Sequence, residues 1–171
     1  PQLRLVMTVH DTGIISGLNG FHHWLHGNLI DFNIAISKAV EQECARHGIH
    51  NVVQIYNGIP VAAFRVAGEK PGAETLSIIN VARMDARKKG QDVLLRALRL
   101  CRIQGLDFRC RLVGGVYSYN RASFEELQRF RDSLDLSEHV EFLTNRTDVA
   151  ELLHAADLFV LPSRFEGLGL V

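Results

Sequence analysis

An excess of charge of either sign is missing from this sequence: nineteen Lys and Arg balance nineteen Asp and Glu. No global field therefore favours nucleic acid or an anionic membrane, and any anion must be met by a local cluster. Cysteine is scarce, and Cys44, Cys101 and Cys110 show no Cys-x-x-Cys spacing. Three thiols cannot all pair within one chain, so a disulfide framework and a zinc knuckle are both poor readings, and a reducing compartment, the cytoplasm by default, fits best. No apolar run is long enough to span a bilayer, and the opening Pro1-Gln2-Leu3-Arg4 shows no basic region followed by a hydrophobic signal core. The chain has no Asp-x-Asp pair, no Walker-type phosphate loop and no Gly-x-Ser-x-Gly elbow. Its histidines, among them His22, His23, His26, His47 and His50, form no His-x-x-x-His pair beside a matched carboxylate.

Hydrophobic residues are plentiful, at 47% of 171, enough to bury a core. Strand-like and helix-like segments alternate along the chain, which predicts an α/β protein with parallel sheets. A first block holds strands near 3–9, 33–36 and 52–55, with Ser37 as the N-cap of a helix between the last two. Residues 66–74 read as a linker. A second block restarts with a strand over 75–81, then a helix after Gly90 with Leu94, Ala97, Leu98 and Cys101 on one face. Next come a strand over 108–113 into Gly114-Gly115 and a helix opened by a Ser123-x-x-Glu126 capping box. A strand over 139–143, a helix from about 147 and a strand over 158–161 complete the block. The division expected is 1–68, a linker at 69–74, and 75–171.

The last strand is apolar on both faces and reads as buried in a parallel sheet, delivering Glu166 to a glycine-punctuated helix start. Such a strand needs a helix to cover it. The run therefore reads as part of a longer protein.

Ligands of open parallel sheets sit outside the carboxyl ends of the strands. Three positions meet that description: the turn from Arg83 to Gly90, Gly114-Gly115, and the run from Ser163 to Gly169. Arg83, Arg87, Lys88 and Lys89 could converge on a diphosphate and stabilise a phosphate leaving group. The plainer reading is a solvated basic loop. Against it, cations at a helix start oppose the dipole, which suggests an anion to offset them. Gly114 fits a tight turn as well as close approach to phosphate. Glu166 fits a dipole-satisfying acid, or a carboxylate accepting hydrogen bonds from two sugar hydroxyls. His10, at the end of the first strand, is by type more often structural than catalytic.

Together, Val9-His10-Asp11, Asn57-Gly58, Ala82-Arg83-Met84 with Lys89-Gly90-Gln91-Asp92, Leu112-Val113-Gly114, and Pro162-Ser163 followed by Glu166-Gly167-Leu168-Gly169 resemble the group 1 glycosyltransferases. That is a retaining family of two Rossmann-like domains, the GT-B architecture. The resemblance implies a GT-B fold incomplete at both ends, with the acceptor-side domain ending in the first block and the donor-binding domain opening in the second. It implies that Arg83 and Lys89 hold the donor diphosphate, with Lys88 competing for the second place. Glu166 would face the donor sugar hydroxyls, His10 would reach the sugar from the opposite domain, and Gly114, Ser163, Gly167 and Gly169 would line the nucleotide-sugar. No metal and no organic cofactor are implied. The acceptor would be a carbohydrate or a lipid-linked one, the latter bringing peripheral contact with the inner face of a membrane; nucleic acid is not a partner.

The sequence departs from the family pattern at Ala82, where a glycine is usual, and in the extra residue of Arg87-Lys88-Lys89. The second acid of the family's Glu-x7-Glu motif falls past Val171. The expected parent is a hexosyltransferase of glycan or glycoconjugate biosynthesis, with this chain alone inactive or nearly so. The alternative is a non-catalytic α/β interaction module derived from the same fold. A GT-B epimerase would need acid–base side chains around the sugar that the sequence does not show.

Overall fold

A computed structural model describes residues 3–65 and 75–171; the linker expected at 69–74 lies outside them. The chain divides into two compact units, Pro1–Ile59 with Phe165–Leu170, and Pro60–Arg164 with Val171.

Unit 1 is a three-stranded parallel sheet ordered β1 (Val6–Val9), β2 (Phe32–Ala35), β3 (Val52–Gln54). Two helices that the sequence reading did not assign, α1 (Thr12–Ser16) and α2 (Gly20–Asn28), connect the first two strands. Side chains fix both starts, with Asp11 accepting from the Gly13 N–H and Asn19 from the His22 N–H. Ser37 caps α3 (Lys38–Arg46) as expected, its Oγ 3.3 Å from the Val40 nitrogen. Val9, Ile15, Ala35, Val40, Cys44 and Ile49 form the core. Beside it, His26 Nδ1 lies 2.6 Å from Asn33 Oδ1, Asn33 Nδ2 donates to the His26 carbonyl, and Asn51 Nδ2 donates to that same carbonyl. This network satisfies a polar side chain in the central strand.

Unit 2 is a four-stranded parallel sheet ordered β6 (Val140–Thr144), β5 (Phe108–Gly114), β4 (Leu76–Val81), β7 (Leu158–Phe159). A 3-10 turn, Val61–Phe64, clusters with it. Helix α4 (Ala86–Lys89) and helix α5 (Gln91–Ile103) follow β4, α6 (Arg121–Ser133) follows β5, and α7 (Val149–His154) follows β6. Helix α5 buries Leu94, Leu95 and Leu98. Leu95 turns the buried stripe, so Ala97 falls on its flank and is exposed rather than inward. Helix α6 starts two residues before the expected capping box. Asn120 sets that start, accepting from the Tyr117 N–H at 2.6 Å and donating to the Gly115 carbonyl at 3.0 Å. The Ser123 hydroxyl instead accepts from the Ala86 N–H at 3.4 Å.

Strand β7 returns to the far side of β4. Asp157 and Ser77 exchange bonds of 2.7 Å each, backbone to backbone and Ser77 N–H to Asp157 Oδ2, and the Val160 N–H reaches the Ile79 carbonyl at 2.9 Å. The buried strand expected here is an edge strand, with Leu158 46% and Phe159 38% exposed, because it pairs with β4 alone. Among the described residues no helix is long and apolar enough to cross a membrane.

Candidate active site

In unit 2 the chain steps from β4 to β5 to β6 in one direction and then crosses back to β7, so the topological switch lies at the carboxyl ends of β4 and β7. The turn after β4 occupies it. Met84 is fully buried and anchors the turn, Asp85 accepts from the Lys88 N–H, and Gly90 closes α4 in the left-handed region at φ 66°. A Cβ on Gly90 would stand 2.1 Å from the Pro162 carbonyl oxygen, so both conformation and space demand glycine. Gln91, fully buried, donates from Nε2 to the Arg83 carbonyl at 2.7 Å. Arg83, Arg87 and Lys88 remain exposed, and Lys89 is half-buried.

Arg87, Lys88 and Lys89 lie in the single turn α4, which the Asp85 side chain caps and Gly90 ends. They also stand immediately before α5, whose N-cap Gly90 brings no side-chain hydrogen bond. The thirteen residues of α5 outweigh the four of α4 in dipole, so the cations precede a positive helix end, the premise of the sign argument made from sequence. The location of the turn and the number of donors it presents add to that argument.

Arg83 and Gly114 share a cavity of about 280 Å³ with Tyr117, Asn145 and Arg146 among its walls. Lys89 and Ser163 are not among those walls; their chain neighbours Lys88 and Arg164 meet, the Arg164 N–H donating to the Lys88 carbonyl at 2.8 Å. Glycine at 114 has a reason that the sequence did not suggest. A Cβ there would lie 1.8 Å from the Ala82 carbonyl oxygen, so the ends of β4 and β5 touch backbone to backbone. Asn145, not named as a site residue from the sequence although Thr144-Asn145 stands where the family commonly has a glycine, sits at φ 55° and accepts from the Val116 N–H at 3.1 Å. A larger cavity of about 630 Å³ runs along β6 past Arg109, Arg131 and Glu141 and holds none of the predicted residues. Arg131 there serves structure, donating to the Val140 carbonyl and lying over the Phe142 ring.

In unit 1, exposed His10 follows β1, and the segment 165–170 lies against it. A Cβ on Gly167 would stand 2.1 Å from the His10 carbonyl oxygen, while Leu168 packs on the Val9 and Ile15 core. Glu166 is half-buried and Gly169 exposed. The expected helix start at Glu166 is absent: the segment is irregular. Two glycines in three residues disfavour a helical turn, and Leu168 is committed to the unit 1 core. The structure thus brings His10 and Gly167 together, with Glu166 beside them, and separately Arg83 with Gly114. Among the described residues no three His, Cys, Asp or Glu side chains converge as a metal site would require.

A family model described as glycosyl transferases group 1 matches residues 75–171, more than half of the chain. The chain belongs to that family. D-inositol 3-phosphate glycosyltransferase of Mycobacterium ulcerans (strain Agy99) is 38% identical over 85 residues, 48% of this chain and 18% of that protein. The enzyme of the same name from Mycobacterium tuberculosis (strain F11) is 39% identical over the same length, 48% of this chain and 17% of that protein. Among solved structures, Anabaena HepE in complex with UDP and glucose matches with a TM-score of 0.78 and 24% identity over 94% of this chain and 46% of that one. Sucrose-phosphate synthase from Thermosynechococcus elongatus matches with a TM-score of 0.76 and 21% identity over 99% of this chain and 47% of that one. These likenesses give the group 1 chain the GT-B fold. It spans less than half the length of the solved structures it matches.

Proposed function

We propose that this chain is a fragment, spanning the end of the acceptor-side domain and the start of the donor-binding domain, of a retaining glycosyltransferase that moves a sugar from a nucleotide-diphosphate donor to an acceptor hydroxyl in glycan or glycoconjugate synthesis. The observation that carries the reading is the basic turn of residues 83–90 at the topological switch of unit 2, with the Arg83 and Gly114 cavity beside it. Arg83 supplies a planar fork for phosphate oxygens and Lys89, or its neighbour Lys88, a mobile point charge. Both stabilise the departing diphosphate as its charge develops, and the leaving phosphate takes the acceptor proton in a front-face displacement. Glu166 accepts hydrogen bonds from the sugar hydroxyls, the Gly167 and Gly169 N–H groups approach the same ligand, and His10 adds a polar contact to it. Ser163 lines the donor. HepE, whose structure holds UDP and glucose, supports a nucleotide-sugar as the donor class.

On this reading transfer needs no metal and no organic cofactor, and a lipid-linked acceptor would place the protein at the cytoplasmic face of a membrane. The test is transfer by the full-length protein from a panel of nucleoside-diphosphate sugars, with EDTA present and absent. Arg83→Ala is expected to lower kcat/KM about 10² to 10³-fold, the cost typical of one lost donor to a developing anion. Undiminished transfer in both Arg83→Ala and Glu166→Ala overturns the assignment. Abolition by EDTA, restored by a divalent cation, overturns the metal-free part.

A further inference from the structure

The basic turn is held from outside itself by one side chain that the site assignment does not use. Arg164 lays Nη1 on Asp92 Oδ1 and Nη2 on Asp92 Oδ2, each at 2.8 Å. The same Nη1 donates to the Ala86 carbonyl at 2.7 Å, and the Arg164 backbone N–H donates to the Lys88 carbonyl at 2.8 Å. Asp92 lies in the first turn of α5, where a carboxylate complements the dipole. A planar fork gripped by two carboxylate oxygens has little freedom left. Its remaining donors therefore act as a fixed template for α4, a helix of four residues too short to hold its own position. The far end of the turn is fixed by Gln91 on the Arg83 carbonyl and by the packing of Gly90 against Pro162.

We propose that Arg164, through Asp92, is a positioning residue for the phosphate-binding turn: it sets where Lys88 and Lys89 stand without touching the donor itself. The inference rests on the proposed diphosphate site. Lysine at 164 keeps the charge and cannot reproduce the fork, and asparagine at 92 keeps the shape and loses the charge. Each change disturbs the side-chain bond to the Ala86 carbonyl, leaving it only the Gly90 N–H within the turn itself, and lets α4 drift; displacements of about 1 Å are enough to weaken a positioned contact strongly.

The experiment measures binding of inorganic pyrophosphate to the full-length protein by titration calorimetry for wild type, Arg164→Lys, Asp92→Asn, the double variant and Arg83→Ala, with thermal melting of each. Arg164→Lys and Asp92→Asn are expected to weaken pyrophosphate binding roughly tenfold. The double variant is expected to be no weaker than either single one, because the two residues act as one device. A panel of nucleosides without phosphate should bind all five proteins alike, an outcome that general loosening of the fold would not give. Pyrophosphate binding kept by Arg164→Lys and Asp92→Asn but lost by Arg83→Ala overturns the positioning role and leaves the phosphate site standing. Binding kept by all three single variants overturns both.

Discussion

Unit 1 and unit 2 are built from the same kind of apolar parallel strand, yet one sheet is covered on one face and the other on two. In unit 1, Val9 and Ala35 face the helices and are buried, whereas Val6, Phe32 and Val53 on the opposite face are 56%, 46% and 43% exposed. In unit 2, Ile78 and Leu112 face α5 and α6 while Ile79, Val81 and Val113 face α7, and all five are buried. A run of branched apolar residues therefore announces a strand without saying how many of its faces are covered. Each unit also places one asparagine in an inner strand at 0% exposure. Asn33 has all of its polar atoms engaged, while Asn80 donates to the Val160 carbonyl and keeps an Oδ1 with no partner among the described residues.

The sharpest way to break this comparison is to cut into each sheet. Phe108→Ala in unit 2 is expected to cost about 3 to 5 kcal/mol of unfolding free energy, against less than about 0.5 kcal/mol for Val53→Ala on the open face of unit 1. Urea denaturation followed by far-UV circular dichroism, and by the fluorescence of Trp24, the one tryptophan and a reporter of unit 1, measures both. Similar losses would show that the open face is covered in solution. The two asparagines test the polar side. Asn33→Ala should cost about 2 to 3 kcal/mol because His26 and Asn51 lose a partner, and Asn80→Ala only about 1 kcal/mol because its oxygen contributes no bond to lose.

Acid should act on the units unequally. The hydrogen bonds from Arg164 hold the Asp92 carboxyl below its usual range, and those from Ser137 and Arg131 do the same for Asp132. All the carboxyls so lowered among the described residues, Asp148 included, lie in unit 2. Because the unfolded chain takes up these protons first, their contribution is full above the unfolded value of about 3.9 and vanishes as pH falls through the lower folded values. Asp92→Asn should therefore shallow the acid limb of unit 2 and leave Trp24 fluorescence unchanged. The smallest effect is chemical. Burial raises the Cys44 thiol and pushes the Cys110 thiol up to about 12, so iodoacetamide at neutral pH should label half-buried Cys101 before either, as read by peptide mass mapping.

Much of the frame was legible because it is local. The Ser37 cap, the strands now seen as β4 and β5, and α5 beyond Gly90 each follow from a few neighbouring residues. Three features were not, and each depends on distant partners. Ser123 lost its capping role because the Ala86 N–H, 37 positions away, takes its hydroxyl while Asn120 starts the helix earlier. The Arg164 and Asp92 clamp joins residues 72 apart, and neither has a local signal. Helices α1 and α2 lie where turn-forming and apolar residues alternate without a clear period, and only the caps at Asp11 and Asn19 fix them. For the site, residue types and strand ends pointed to Arg83 and to Gly114, but the separate turn α4 and the irregular backbone at Glu166 could be read only in three dimensions.

The bonds between Ser77 and Asp157 close a loop of 80 residues. Closing a flexible loop of that length costs about 4 kcal/mol before any contact repays it. During synthesis β4, β5 and β6 can assemble first, while one edge of β4 waits for a segment that follows all three in the chain. The same later segment carries Pro162 and Arg164, so the basic turn acquires its final shape only after residue 164 has left the ribosome, and a translation product interrupted before it would hold the charges without the frame that aims them.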